Sequence, residues 1–199
     1  MEIELKNLNK KFNEKSIFID FNFKFNSSRR YALCGPNGSG KTTLLKLISN
    51  LVKEDNGEIK FTKKNSSISY INSETRSFFQ RLSPVDNLYF FGSINGMSKN
   101  QVLRLIEEDF KDFNLTNFMN VPLSNLSLGQ VQMINIIRGF LIQPDVLLCD
   151  EIFANLDDKN VKNLILFLNN YRAKKDLIEI YTSHNKEFLK NFCDEEVFL

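Results

Sequence analysis

Gly35-Pro36-Asn37-Gly38-Ser39-Gly40-Lys41-Thr42-Thr43 is the stretch on which the reading of this chain turns. It satisfies G-x-x-x-x-G-K-[ST], with the short apolar run Arg30-Tyr31-Ala32-Leu33-Cys34 before it and TTLLKLISNLV after it. A strand running into a glycine-rich turn that opens a helix is a phosphate cradle. Glycines let successive backbone N–H groups turn inward, and the helix N-terminus adds its positive dipole end. Lys41 is the candidate to neutralise the β- and γ-phosphates of a nucleotide, and the Thr42 hydroxyl the candidate ligand for Mg²⁺. The alternative is a chance glycine-rich turn; the flanking strand and helix speak against it. Within the helix, Leu44, Leu45, Leu47, Ile48 and Leu51 fall on one stripe and are expected to be buried.

A phosphate loop needs an acid to hold the metal shell. Val146-Leu147-Leu148-Cys149-Asp150-Glu151 reads as a buried strand with two acids at its carboxyl end, the edge where open parallel sheets bind ligands. Asp150 is the candidate for Mg²⁺, through water, and Glu151 the candidate to take a proton from an attacking water. Alone, the same pattern is equally a strand closed by two solvated acids; beside the loop, the functional reading gains.

Outward from these two segments the chain alternates. IELKNL and IFIDFNFKF place apolar residues at every second position and predict antiparallel strands with one covered face, joined to RYALCG by the polar turn NSSRR. EDNGEIKF reads as a turn and a strand, and SSISYI as another strand. From about Arg76 to Gly129 the pattern becomes helical: Pro84 sits near a helix start in SPVDNLYFFGSING, and KNQVLRLIEEDFKDFN is amphipathic. QVQMINIIRGFLI predicts a helix with an apolar face, DKNVKNLILFLNNYRAKK another, and DLIEIYTSH a strand ending at the single histidine. Strands alternating with helices predict an α/β fold with a parallel sheet covered on both faces.

Composition narrows the function classes. Over 199 residues, 26 basic and 24 acidic side chains leave a net charge of +2, so no nucleic-acid partner is expected. Cys34, Cys149 and Cys193 are scattered and read as reduced thiols. No apolar run approaches the ~18 residues of a membrane span, and MEIELKNLNKKF has no signal-peptide core. The 25 Asn against three Ala are dispersed and read as codon bias, not as a low-complexity tract.

Further segments, in order, carry a family resemblance. Asn125-Leu126-Ser127-Leu128-Gly129-Gln130 resembles the LSGGQ signature of ABC-type ATPases. Ile152-Phe153-Ala154-Asn155-Leu156-Asp157 resembles the D-loop, and Thr182-Ser183-His184 the switch-histidine motif. Phe12 lies 23 positions before Gly35, as an adenine-stacking aromatic does in that family. The resemblance covers nearly the whole chain. It implies a three-layer, RecA-like P-loop NTPase core with an N-terminal antiparallel β subdomain and an inserted helical subdomain. The expected division is 1–73, 74–130 and 131–199 within one domain. It further implies ATP and Mg²⁺ as cofactors, with Glu151 and His184 at the reacting phosphate and Thr42 and Asp150 at the metal. Phe12, the loop Gly35–Thr43 and, from a second copy, Ser127, Gly129 and Gln130 would hold the nucleotide.

Such subunits pair head to tail, as homo- or heterodimers, and dock on membrane permease subunits at the inner face of the cell membrane. RSFFQRLSPVDNL resembles exporter-type ATPases, so export is the expected direction. A non-transport ATPase acting on DNA or ribosomes is the alternative. Phe78, Phe79, Phe90 and Phe91 would line a groove for a permease coupling helix, or else form the insertion's own small core. Phe12 is open between base stacking and ordinary packing. Two positions depart from the pattern. Leu128 replaces the second signature glycine, and the glutamine expected after SSISYI is absent, with Ser73 or Glu74 in its place.

Overall fold

The computed structural model describes residues 1–74, 77–113 and 115–199, with the backbone alone at 112 and 116. Thr75 and Arg76, at the start of the expected helical insertion, lie outside the described residues. The chain divides into two compact units: Met1–Tyr70 with Asp145–Glu151 and Lys175–Leu199, and Ile71–Pro144 with Ile152–Lys174.

The first unit opens with β1 (Glu2–Phe12) and β2 (Lys15–Asn26), an antiparallel pair that β4 (Asn56–Phe61) extends into a three-stranded sheet of order β2-β1-β4. The strict alternation expected along β2 breaks at a register shift. Leu8 faces Phe21, but Lys10 faces Phe18, and Asp20 between them takes φ +47°. The extra residue turns Phe18 into the core and leaves Ile19 73% exposed, as a bulge does. The polar turn NSSRR is shorter than the sequence suggests. Ser28, at φ +62°, makes the turn, and β3 (Arg29–Cys34) already includes both arginines.

β3 belongs to a five-stranded sheet of order β5-β6-β7-β3-β8, built from β5 (Ile68–Asn72), β6 (Val146–Asp150), β7 (Ile178–Thr182) and β8 (Glu195–Phe198). Its β6–β7, β7–β3 and β3–β8 pairs are parallel, which sends the carboxyl ends of β3, β6 and β7 to one edge. α1 (Lys41–Ile48) buries Leu44, Leu45, Leu47 and Ile48 among Tyr31, Leu33, Val146, Leu148, Ile178 and Ile180. The expected stripe ends one residue early. The helix stops at Ile48, Asn50 turns at φ +58°, and Leu51 is exposed. α6 (Lys186–Phe192) precedes β8.

The second unit is helical, as the periodicity predicts. α2 (Pro84–Ile94) has Pro84 in its first turn and Ser83 as N-cap; α3 (Lys99–Asp109) opens on a Ser98/Gln101 capping box. Among the described residues, three short 3₁₀ turns lead to α4 (Leu128–Phe140), and α5 (Asp158–Lys174) follows. Phe110, Phe113, Phe140, Phe167 and Tyr171 pack ring on ring between them, with centroids as close as 4.4 Å. α4 is not merely apolar on one face: Gln132 and Asn135 are buried as well, donating to the carbonyls of Ile152 and Asn72. The amide nitrogen of each thus finds an acceptor.

Candidate functional site

In the first unit the parallel sheet edge opens into a cavity of about 420 Å³. The loop contributes Asn37, Gly38 and Gly40, α1 its first residues Lys41, Thr42 and Thr43, the end of β6 Asp150 and Glu151, and the end of β7 Thr182 and His184. Three segments far apart in sequence meet because parallel strands deliver their carboxyl ends side by side.

The loop is shaped for close approach. Gly40 caps α1 at φ +108°, and a Cβ there would stand 2.6 Å from Ile17 Cγ2 and 2.9 Å from Phe18 Cζ. Only glycine fits both the dihedral and the space. Lys41 Nζ donates to the carbonyls of Gly35 and Pro36 at 2.9 and 3.0 Å, and the Ser39 N–H to Pro36 at 3.2 Å. Gly35, Pro36 and Ser39 therefore shape the loop without lining the cavity.

The acids are held from the strands on either side of β6. Asp150, 8% exposed, accepts from the Thr182 hydroxyl on Oδ1 at 2.6 Å and from the Tyr70 hydroxyl on Oδ2 at 3.0 Å. Glu151 adopts φ +59°, a left-handed conformation that costs a non-glycine residue about 1–3 kcal/mol. Its N–H donates to the carbonyl and hydroxyl of Thr182 at 3.3 and 3.2 Å, which holds the strained residue in place. The carboxylate accepts the His184 N–H on Oε2 at 3.1 Å, and His184 Nε2 lies 3.8 Å from Oε1. The imidazole is 81% exposed, so it is free to reorient.

Thr42 and Asp150 offer a hydroxyl and a carboxylate in one cavity. This all-oxygen donor set fits a hard cation such as Mg²⁺, which binds through one or two carboxylates with substrate phosphates and water. Among the described residues, no thiolate or second imidazole lines the cavity to favour a softer metal.

Sequence reasoning missed four lining or supporting residues. Lys15 and Ile17 of β2 line the cavity, and a Cβ on Gly38 would stand 3.7 Å from Lys15 Nζ, so a second ammonium reaches the loop. Thr182, taken only as part of the histidine motif, and Tyr70, taken only as a strand residue, are the hydroxyls on Asp150. Phe12 does not line the cavity. It ends β1 opposite Lys15, 45% exposed, with the Lys10 ammonium 5.1 Å from its ring centroid.

Ser127, Gly129 and Gln130 lie in the second unit, at the start of α4. Ser127 Oγ accepts the Gln130 N–H at 3.3 Å while Gln130 Oε1 accepts the Ser127 N–H at 2.9 Å. The S-x-x-Q spacing of this capping box was readable in the sequence. With Asn155, Asp157 and Lys159 these residues line a cavity of about 640 Å³ in that unit. A Cβ on Gly129 would stand 2.5 Å from the Asn155 carbonyl oxygen, so the signature glycine is required by the loop pressed against it. Leu128, the departure from the signature, projects outward at 68% exposure and leaves that contact untouched.

The aromatic group of this unit is divided. Phe78 is buried and Phe91 half-buried beneath the Arg138 guanidinium, 4.5 and 4.9 Å from its carbon, whereas Phe79 and Phe90 pair edge to face at 4.8 Å and remain exposed.

Comparison with known proteins agrees with this geometry. The sequence profile of the ABC transporter family matches residues 18–154. An uncharacterized ABC transporter ATP-binding protein of Methanocaldococcus jannaschii is 28% identical over all of this chain and 74% of its own length. The sulfate/thiosulfate import ATP-binding protein CysA of Mesostigma viride is 32% identical over 99% of this chain. The chain spans 59% of that relative, and 64% of a methionine import ATP-binding protein of Clostridium acetobutylicum. Among solved structures, an ATP-binding subunit of an ABC transporter superposes with a TM-score of 0.89 at 24% identity, covering all of this chain and 86% of that one. CbiO1 of Clostridium perfringens superposes at 0.80 and 20% identity, covering 98% and 83%; at such identities these two show the fold alone. With its profile match spanning more than half of the sequence, and its cavity built from the phosphate loop and the acids of β6, the chain belongs to the ABC transporter family.

Proposed function

We propose that this chain hydrolyses ATP with Mg²⁺ in a head-to-tail pair and that the cycle drives transport through separate membrane permease subunits. The single observation that carries the reading is the one cavity in which Lys41, Thr42, Asp150, Glu151 and His184 meet. The Lys41 ammonium, held on two carbonyls, turns to the phosphates. The N-terminal N–H groups of α1 add their dipole. Bound Mg²⁺ would supply charge neutralisation at the phosphates, with Thr42 and Asp150 as its protein contacts. Glu151, oriented by the His184 N–H, takes the proton from water, and the His184 side chain positions the terminal phosphate. Phe12 is proposed to stack on the base.

The second copy contributes Ser127, Gly129 and Gln130. Ser127 Oγ is an acceptor within its capping box and keeps its own O–H to donate, and the N-terminus of α4 favours an anion. Loss of the phosphate bridging the two copies would release them. Exposed Phe79, Leu82, Tyr89 and Phe90 offer the apolar surface that a permease segment would cover. No described helix is long and apolar enough to cross a membrane, so a membrane position would come through that partner. The subdivision 1–73, 74–130 and 131–199 belongs to the proposal, and Ser73 or Glu74 stands at the missing glutamine. The relatives are mostly named for import, of sulfate, methionine or spermidine; they do not support the export direction drawn from RSFFQRLSPVDNL. The test is ATP turnover of wild type against Glu151→Gln. Near-complete loss of turnover with ATP binding retained is expected; unchanged turnover would remove Glu151 as the base.

A further inference from the structure

Asp150 is held on both of its oxygens where it lines the cavity. Its two oxygens each receive a hydroxyl proton, Oδ1 from Thr182 at 2.6 Å and Oδ2 from Tyr70 at 3.0 Å. The two donors come from opposite sides of β6. Thr182 ends β7, the neighbour on one side, and Tyr70 lies in β5, the neighbour on the other. Thr182 also anchors the Glu151 N–H, so its hydroxyl serves the backbone of the base as well as Asp150. The Tyr70 ring packs partly buried against the core of the first unit, and its hydroxyl ends on the carboxylate.

A carboxylate gripped on one oxygen can still rotate about its Cβ–Cγ bond; gripped on both, its plane is fixed. Mg²⁺ demands near-ideal octahedral geometry, so a carboxylate that meets it directly or through its water shell works best with its lone pairs already aimed. Partners that orient metal-facing ligands commonly change metal affinity or activity 10–100-fold when removed. Tyr70 also precedes Ser73 by three residues, and neither Ser73 nor Glu74 supplies the glutamine expected after this strand.

We infer that Tyr70 is a positioning residue for Asp150: its hydroxyl fixes the plane of the carboxylate that faces the metal, linking the strand that leads into the glutamine-less segment to the metal centre. The inference rests on the proposed Mg²⁺-ATP function, and its test separates the two.

The test uses the full chain and Tyr70→Phe, which removes one oxygen and keeps the ring. A second variant, Tyr70→Met, also lacks the hydroxyl and keeps an apolar side chain in that place. Binding of a fluorescent ATP analogue is titrated without metal and at increasing Mg²⁺, Mn²⁺ binding to the nucleotide-loaded chain is read by electron paramagnetic resonance, and ATP turnover is followed against Mg²⁺. Both variants are expected to need about tenfold more Mg²⁺ for half-maximal effect and to bind Mn²⁺ correspondingly more weakly. Their affinity for the analogue without metal should match wild type. If the metal dependence of both variants stays within about twofold of a wild type that does respond to Mg²⁺, Tyr70 does not position Asp150. If affinity without metal falls as much as affinity with it, Tyr70 only shapes the pocket and the inference also fails. A wild type indifferent to Mg²⁺ would overturn the proposed function, and this inference with it.

Discussion

Replacing Arg30 by Met should destabilise the chain more than an ordinary surface substitution, although the sequence reads Arg30 at the junction of a polar turn and a strand. In the structure Arg30 is 4% exposed, and its Nε donates to Glu179 Oε2 at 2.9 Å. Glu179 is 0% exposed and also accepts from the Tyr181 hydroxyl at 2.5 Å. Burial, followed by the charge of Glu179, pushes the Tyr181 phenol well above its ordinary pKa, so it stays a neutral donor and cannot replace the cation. Arg30 also lies over the Phe192 ring, with its guanidinium carbon 4.2 Å from the centroid. Removing one member of a buried pair leaves the other charge uncompensated and costs about 3–5 kcal/mol. For a chain of this size that is about 6–20 °C in Tm, at roughly 2–4 °C per kcal/mol.

The double variant Arg30→Met with Glu179→Leu removes both charges. Because desolvating two ions consumes most of their mutual attraction, it should recover to near wild type or exceed it. Urea and thermal unfolding of the two single variants and the double give the cycle. A single variant within about 2 °C of wild type, or a double worse than the sum of the singles, would refute the reasoning.

Two further outcomes follow from contacts in each unit. Gly129→Ala should lose most ATP turnover: its Cβ would stand 2.5 Å from the Asn155 carbonyl oxygen, and since that obstacle is backbone, the start of α4 or the 152–157 loop must shift. The helix gains about 1 kcal/mol from alanine, so thermal unfolding should change little while turnover falls, and comparing the two assays checks this. Asp145 is a second acid whose charge supports the fold. Burial opposes its ionisation, but the Lys63 ammonium at 2.8 Å, the Ser67 N–H and Lys175 outweigh it and hold its pKa well below the ordinary value. A lowered folded pKa gives stability that is complete above the unfolded value of about 3.9 and is lost as pH falls through the folded one. Asp145→Asn should therefore be less stable than wild type at neutral pH, with the gap in Tm narrowing below about pH 4.

The phosphate loop, the acids of β6 and the start of α2 were legible because each is decided locally, by glycine at fixed offsets, by an apolar run ending in acids, by Pro before a periodic stretch. What escaped depends on pairing. The bulge at Asp20 changes which phenylalanines face inward, and strict alternation cannot register one extra residue. Leu51 fits the helical stripe, but the helix ends before reaching it. Arg30 and Glu179 look like solvent residues because a charge in sequence does not reveal its partner 149 positions away. Tyr70, Thr182 and Lys15 reach the candidate site only through strand neighbours that no local pattern specifies, and the demand for glycine at 129 comes from a backbone 26 positions later.

The central claim is that ATP is gripped by the Lys41 loop of one copy and closed by the Ser127 segment of another. Sedimentation of Glu151→Gln with and without ATP tests it most directly, repeated with Ser127→Arg added to the same chain. A single copy is expected without nucleotide, a pair with ATP, and a single copy again when Ser127 is replaced, with ATP still bound. A mass that ATP leaves unchanged, or a pair that survives Ser127→Arg undiminished, would contradict it.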